Sequence, residues 1–421
     1  MLFQFRQYLE ENNLLIEEQS AYRGNHSCET ALIKIFDDIY TVVDKDTSVV
    51  VTLLDFSSAF DTINHELLVY KLEHLYGVTG TALRWFHSYL VDRSFHVKIN
   101  DCLSKGKNSL YGVPQGSILG PMLFTVFLQD VVQIIRSHGL KFHIYADDIQ
   151  IYFPTSELND QLPALKSCMK DISVWAKNNF LKLNPSKTKF LNLHLKKCTT
   201  TVDHIEILTE NFPMEPRAKS LGFFIDNQLS LSDQIGSICK RGYFFLCNLW
   251  RISSKLNSIK LKIQMAHACI ISQIDCFSAL YYNLPKNEIS RLQKLMNSTT
   301  RFIYNIKDPR THMTPYLKKC HLLPVHLRIR FKTCVLIFKC LNGLAPTYLR
   351  DLIAFKSSLP SLRVYGDKTI LHQPCPQNRL RDRRFSFAGP KLWNELPRNL
   401  REIESLVVFK SRLKTHLFRL F

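Results

Sequence analysis

Long apolar runs are missing from this 421-residue chain, and so is any closely spaced cysteine pair. The most apolar stretch, 118–135, is interrupted by Pro121, Gln129 and Asp130, which excludes a membrane-spanning helix there. The opening residues, Met1-Leu-Phe-Gln-Phe-Arg6, lack the apolar core of a secretory signal. Twelve cysteines without one Cys-x-x-Cys do not read as a disulfide framework. Reduced thiols are therefore expected, with an intracellular location, nuclear or cytoplasmic, and no secretion. Acidic residues are scarce too, and unevenly so. Residues 309–421 hold 6 Asp and Glu against 22 Lys and Arg, a net +16 out of +19, which leaves residues 1–308 nearly neutral at +3. Such a tail favours phosphate backbones through counterion release.

What the chain does contain is a pair of adjacent carboxylates, Asp147 and Asp148, within Lys141-Phe-His-Ile-Tyr-Ala-Asp-Asp-Ile-Gln-Ile-Tyr152. Apolar residues on both sides predict two strands joined by a tight turn that carries the pair. Two anions roughly 4 Å apart repel by about 4 kcal/mol at an effective dielectric near 20. The pair is either a solvated turn, which Asp tolerates, or a holder for a divalent cation. Upstream, Val49 to Leu54 reads as a buried strand with Asp55 at its end. A strand-end carboxylate and a turn carboxylate can share Mg²⁺, which keeps several waters and takes further ligands from substrate phosphates. Two such ions roughly 4 Å apart stabilise the attacking and leaving oxygens of in-line phosphoryl transfer.

The surrounding residues sharpen this reading. Leu54-Asp55-Phe-Ser-Ser-Ala-Phe60-Asp61 resembles motif A of reverse transcriptases, Tyr111-Gly-Val-Pro-Gln115-Gly116-Ser117-Ile-Leu-Gly120-Pro their motif B, and Tyr145-Ala-Asp147-Asp148 their motif C. Leu183-Asn184-Pro-Ser-Lys187-Thr188 resembles motif D, and Ser220-Leu221-Gly222-Phe-Phe-Ile-Asp226 resembles motif E, the primer grip. Within that family the phrasing is similar to non-LTR (LINE-type) retrotransposons of the jockey-like group. The similarity extends from Gln19-Ser-Ala-Tyr-Arg23-Gly-Asn-His-Ser27 to Arg384-Phe-Ser-Phe-Ala-Gly-Pro-Lys-Leu-Trp393-Asn-Glu-Leu-Pro397.

The resemblance implies an RNA-directed DNA polymerase that extends a DNA primer on an RNA template from deoxynucleoside triphosphates. It implies two Mg²⁺ ions, with Mn²⁺ as the alternative, held by Asp55, Asp147 and Asp148 and by the backbone carbonyl of Phe56. Phe60 would be an aromatic gate that clashes with a 2′-hydroxyl. Gln115 and Gly116 would contact nucleotide and template, Lys187 would be the general acid for pyrophosphate, and Leu221 and Gly222 would grip the primer. Read without the resemblance, Phe60 is a core side chain, Gln115-Gly116 a loop before an apolar helix at 118–128, and Lys187 a solvated loop lysine. The chain opens at the Gln19 to Ser27 segment. The endonuclease and the earlier fingers motifs are therefore expected to be absent, with Arg23 as a partial substitute for the missing phosphate clamp. A catalytically impaired remnant that only binds RNA or DNA is the alternative. An RNA-dependent RNA polymerase is a third reading, against which Phe60 and Gln115-Gly116 argue.

The expected fold class is α+β: a right-hand polymerase palm made of an antiparallel sheet with helices on one face, partial fingers, a helical thumb and a basic C-terminal region. The expected domains are 1–228 (fingers and palm), 229–308 (thumb) and 309–421 (nucleic-acid binding). Helices are predicted from His65, from Thr79, around Leu165 to Trp175, from a Ser232-Asp233 cap, at 258–282, at 286–304 and from a capped start at Ser405. Strict alternation in Phe95-His-Val-Lys-Ile-Asn100 predicts a half-buried strand. Arg379, Arg381, Arg383 and Arg384 form the densest basic cluster and are expected to bind nucleic acid from the surface. Nearby Phe385, Phe387 and Trp393 read either as base-stacking platforms or as the core of a small tail domain. Cys320, His321, His326, Cys334 and Cys340 do not have the spacing of a closed zinc site.

Overall fold

The computed structural model describes residues 1–57, 59–194, 204–207, 210–356, 369–374 and 381–421. They fall into two compact units. The first comprises Met1–Cys28, Thr47–Leu193 and Cys198–Leu221; the second comprises Glu29–Asp46, His194–Lys197 and Gly222–Phe421.

In the first unit, β1 (Val49–Leu54), β2 (Lys141–Tyr145), β3 (Asp148–Pro154) and β4 (Lys189–Leu193) form an antiparallel sheet in the order β2-β3-β1-β4. β1 is an inner strand, and all six of its residues are buried. This is why its sequence is a continuous apolar run and does not alternate. Val50, Leu54, Ile149, Ile151 and Phe153 share a core with Leu123 and Phe127 of helix Gly120–Phe127 and with Ile172 and Trp175 of helix Leu158–Asn178. The expected arrangement of an antiparallel sheet with helices on a face is therefore present.

A polar knot fastens these helices. Lys71 Nζ lies 2.8 Å from Asp130 Oδ2 and donates to Phe127 O at 3.0 Å, and Trp175 Nε1 donates to the same carboxylate oxygen at 3.2 Å. Burial pulls the Lys71 pKa down while Asp130 pushes it back up. A buried ammonium survives only with such partners, so loss of Asp130 alone would be costly.

The alternating segment 95–100 does not form a half-buried strand. It contributes to two-residue strands, Ser94–Phe95 and Lys98–Ile99, which pair with Lys107–Asn108 and Cys102–Leu103 in an arm whose strand residues are all exposed. Alternation is there, but no packing partner is.

The second unit is helical. Helices Ser232–Arg251 and Lys286–Tyr304 approach so closely that a Cβ on Gly242 would sit 2.5 Å from Leu295 Cδ2. Ser232 does not cap: the N-cap is Leu231 in a left-handed conformation with no side-chain cap, and Asp226 holds the turn before the helix by accepting from the Ser230 and Leu231 amides. The helix expected at 258–282 is broken into Ile259–Ala266, a wide turn at His267–Ile271, Ser272–Asp275 and a tight turn at Ser278–Tyr281. The last helix, Leu406–Arg419, starts after Ser405 without a side-chain cap. In the basic tail, Phe338 stacks on Phe409 with ring centroids 4.5 Å apart, and Trp393 lies against Phe409 at 5.7 Å. The described helices of the tail thus pack on one another. Among the described residues no helix is long and apolar enough to cross a membrane.

Candidate active site

The ladder between β1 and β3 ends at Leu54 opposite Ile149, and one step further places Asp55 beside Asp148, the first residue of β3. Tyr145 pairs with Asp148 across the neighbouring hairpin. Ala146 and Asp147 are left as a two-residue turn, and Ala146 takes φ +58°. A non-glycine residue adopts that conformation at a cost, as hairpin turns of this length require.

The chain after β1 continues its ladder. Ser57 N donates to Lys182 O at 2.8 Å and Asn184 N donates to Asp55 O at 2.9 Å. The 184–188 turn, closed by Thr188 N on Asn184 O at 2.9 Å, then returns Lys187 to the carboxylate. Lys187 Nζ lies 3.0 Å from Asp55 Oδ2, in an ion pair whose lysine side chain remains 63% exposed. The geometry is that of charge contact without hydrogen-bond alignment, since Asp55 Oδ2 is buried and makes no hydrogen bond.

Burial raises the Asp147 pKa, with Asp55 adding to it and Lys187 opposing. Burial, then Asp147, then Asp55 push Asp148 up to about 6. Two carboxylates held above their ordinary range by burial and by the neighbouring charge of Asp55 form a negative site that a cation relieves.

Asp55, Asp148 and Gln150 line a cavity of about 340 Å³ with Ser186, Lys187, Lys189, Lys219 and Ser220. Two carboxylates and three ammonium groups in one cavity suit a metal-bound polyphosphate better than either a bare cation or a bare anion. Among the described residues no three His, Cys, Asp or Glu side chains are gathered tightly enough to cage an ion. A Mg²⁺ ion does not need a cage, because one or two carboxylates, waters and substrate phosphates suffice. The donor set fits: hard oxygens, an orphaned Asp55 Oδ2, and an ammonium already placed against it.

The other predicted residues are distributed around this centre. Phe60 is half-buried and stacked on Phe124, with ring centroids 4.2 Å apart. Phe56 is buried against Trp175, so only its backbone is available to a ligand. Gln115 is exposed and donates from Nε2 to Asp61 Oδ1 at 2.7 Å. Gly116 has φ +78° with open space around it, while Gly112, at φ +83°, would drive a Cβ to 2.8 Å from Asp61 O. Only glycine fits the second of these, which fixes motif B against motif A.

Arg23 donates from Nη1 to Ile16 O and Gln19 O, within its own loop. Leu221 and Gly222 take φ +49° and +81° where the chain passes from one unit to the next.

Of the four tail arginines, the two whose side chains are described, Arg383 and Arg384, are less exposed than expected. Arg379 and the Arg381 side chain lie outside the described residues. Arg383 donates to Leu229 O at 2.9 Å. Arg384, only 12% exposed, lies 3.6 Å from the buried Asp44 and donates to Thr41 Oγ1 at 3.3 Å. Buried Asp37 and Asp44, on helix Cys28–Val43 and just after it, draw Arg384 inward. Phe385, Phe387 and Trp393 are buried as core, not presented as platforms. The Cys334 and Cys340 thiols, also buried, are pushed up to about 12.

Residues that the sequence did not single out complete the site. Lys189 and Lys219 face the cavity with Lys187. Buried Gln150 donates to Ser220 Oγ at 2.7 Å and leaves Oε1 without a hydrogen bond. Buried Gln19 clamps the turn before Asp147. The polar residues on otherwise apolar β3 were a visible signal; Gln19 heads the resembling segment 19–27, but nothing there marked its contact with Ala146.

Residues 4–225 match the model of a family described as reverse transcriptase (RNA-dependent DNA polymerase). The chain is 25% identical over 300 residues to the probable RNA-directed DNA polymerase from transposon BS of Drosophila melanogaster, covering 70% of this chain and 33% of that protein. It is 26% identical over 308 residues to the corresponding protein from transposon X-element of Drosophila melanogaster, covering 70% and 32%. Against the RNA-directed DNA polymerase from mobile element jockey of the same organism, identity is 25% over 225 residues, covering 52% and 24%. The chain thus spans about a third or less of the length of these curated relatives. Among solved structures, telomerase from Candida tropicalis is similar with a TM-score of 0.42 at 13% identity, covering 76% of this chain and 56% of that one. Telomerase from Candida albicans gives 0.38 at 14%, covering 78% and 53%.

Proposed function

The chain belongs to the reverse transcriptase (RNA-dependent DNA polymerase) family, and from that premise we propose that it extends a DNA primer on an RNA template from deoxynucleoside triphosphates. The observation that carries this reading is the meeting of Asp55 and Asp148 across adjacent strands, with Lys187 Nζ 3.0 Å from Asp55. When bound there, Mg²⁺ (or Mn²⁺), as a pair of ions, would supply charge stabilisation to the attacking and leaving oxygens. Asp55, Asp147 and Asp148 would hold them.

The chain's own groups do the rest. Lys187, Lys189 and Lys219 attract the triphosphate into the cavity. Lys187, having exchanged Asp55 for the leaving pyrophosphate, stabilises its charge or donates a proton to it. Phe60, held flat on Phe124, closes the space beneath the sugar and selects deoxyribose. Gln115 and the open backbone of Gly116 contact nucleotide and template, Leu221 and Gly222 the primer. The reading assigns residues 1–228 to fingers and palm, 229–308 to a thumb and 309–421 to a basic region that binds nucleic acid, working in the nucleus or cytoplasm.

Primer extension on a homopolymer RNA template with Mg²⁺ tests it, with deoxy- and ribonucleotides in separate reactions. The expected result is DNA product that Asp147→Ala abolishes. Absence of product with both nucleotide sets, alongside salt-sensitive RNA binding, would support a binding remnant instead.

A further inference from the structure

The second unit holds its own cavity, about 420 Å³, formed by helix Lys286–Tyr304, the segment 309–314 and the start of helix Val325–Leu341. Its wall carries two guanidinium groups, Arg301 and Arg310, and two imidazoles, His312 and His326, and among the described residues no Asp or Glu side chain. Arg301 is fixed in place: Nη2 donates to Pro309 O at 2.8 Å and to Thr311 O at 3.3 Å. Its Nε is nonetheless buried without a hydrogen-bond partner. Two guanidinium groups on one cavity wall are a feature that a bound anion would satisfy.

The remaining wall is not built for an anion alone. Val325 N donates to Gln293 Oε1 at 2.9 Å, and Gln293 Nε2 donates to Asn297 Oδ1 at 2.9 Å. This chain of amides leaves the Asn297 NH₂ group as the terminal donor. Met313, Leu317 and Phe421 supply apolar surface. Phosphate chemistry, an amide donor and an apolar wall together match a nucleotide, and the volume lies in the range of small-ligand sites. A duplex cannot enter a cavity of this size, whereas an unpaired nucleotide can leave its strand and be read on its base edge and face.

We propose that this cavity takes one unpaired nucleotide of a single-stranded nucleic acid, with its phosphate on Arg301 and Arg310 and its base against Met313, Leu317 and Phe421. The site is separate from the carboxylate centre. It would let the C-terminal region hold a single strand by an inserted base and not by charge alone.

The test uses the full chain and three probes: a mixed-sequence single-stranded RNA 12-mer, the same sequence as duplex, and uridine monophosphate. In Arg310→Gln, single-strand affinity should fall roughly 5- to 20-fold and its salt slope by about one unit, with duplex affinity changing less than twofold. Arg301→Lys keeps the charge but removes the planar fork, and should also weaken the single strand selectively. A 4-thiouridine-substituted strand should photocrosslink within residues 310–317 of the unaltered chain. That reading stands even if either variant folds poorly. Unchanged affinity and slope in both folded variants, or crosslinks only elsewhere, overturns the proposal. Uridine monophosphate binding as tightly as the strand would make the site one for free nucleotide, and would also overturn it.

Discussion

Gln19 is bonded through both ends of its side-chain amide to the backbone of Ala146: Oε1 accepts from Ala146 N at 3.0 Å, and Nε2 donates to Ala146 O at 3.3 Å. The same Oε1 accepts from Ala21 N at 2.9 Å. The residue before Asp147 is thereby held at φ +58°, a conformation that costs alanine on the order of 1 kcal/mol. Gln19→Leu would leave buried backbone groups unpaired at about 1 to 3 kcal/mol each. A stability loss of roughly 2 to 4 kcal/mol in urea unfolding is predicted, with primer extension slowed at least tenfold as the turn carrying Asp147 loosens. A wild-type midpoint and rate in Gln19→Leu would show that the turn does not depend on this clamp.

The carboxylates predict an unusual pH dependence. Asp148 has a folded-state pKa of about 6, above its ordinary value of 3.8, because of burial and the charges of Asp147 and Asp55. A raised carboxylate pKa means that the folded state holds the proton more tightly than the unfolded chain does. The stability it contributes is complete below pH 4 and is lost as pH rises through 6; Asp147, shifted the same way, adds to the trend. Metal-free protein should therefore be more stable at pH 5 than at pH 8. Asp148→Asn should recover on the order of 1 kcal/mol at pH 8 after allowance for solvent screening. Mg²⁺ affinity should run in the opposite direction and rise across the same window, since binding requires the ionised form. Calorimetric scans with and without Mg²⁺ at both pH values check both signs.

How much of this was legible in sequence follows from where each residue's partners lie. Asp55, Asp147 and Asp148 sit at the ends of short strand patterns, so local periodicity located them and the β1 to β3 register then brought them together. Gln19 is 127 residues from Ala146, and nothing in its neighbourhood reports a partner at that range. Arg384 read as surface because its neighbours are basic. It is drawn largely out of solvent because Asp44 lies beside it after a chain separation that no local pattern spans. The 94–108 arm fails in the other direction: alternation gives a strand two faces but not a core to bury one against.

Lys187 separates two chemistries. Its positive charge opposes the upward pKa shift of both Asp147 and Asp148, so Lys187→Met should push those groups higher and slow nucleotide addition about 10- to 100-fold. Lys187→Arg retains the charge but not a readily transferable proton. Near wild-type incorporation in Lys187→Arg would assign charge stabilisation, and loss comparable to Lys187→Met would assign proton transfer. Single-nucleotide incorporation measured from pH 6 to 9 distinguishes them, since only the second case removes a basic limb from the profile.

Phe60 carries two roles that a single substitution can pull apart. Its ring packs on Phe124 at a centroid distance of 4.2 Å and an interplanar angle of 23°, so removing it costs stability whatever else it does. Phe60→Val should lose roughly 1 to 3 kcal/mol, less than for a fully buried phenylalanine because the ring is only half-buried. If the ring also bounds the sugar site, the same variant should accept ribonucleotides at least tenfold more readily relative to deoxynucleotides. Phe124→Leu supplies the control: it loosens the support behind Phe60 with a similar stability cost but leaves a ring at position 60. The gate requires discrimination to collapse in Phe60→Val and to persist in Phe124→Leu. Equal discrimination in all three proteins would reduce Phe60 to a packing residue.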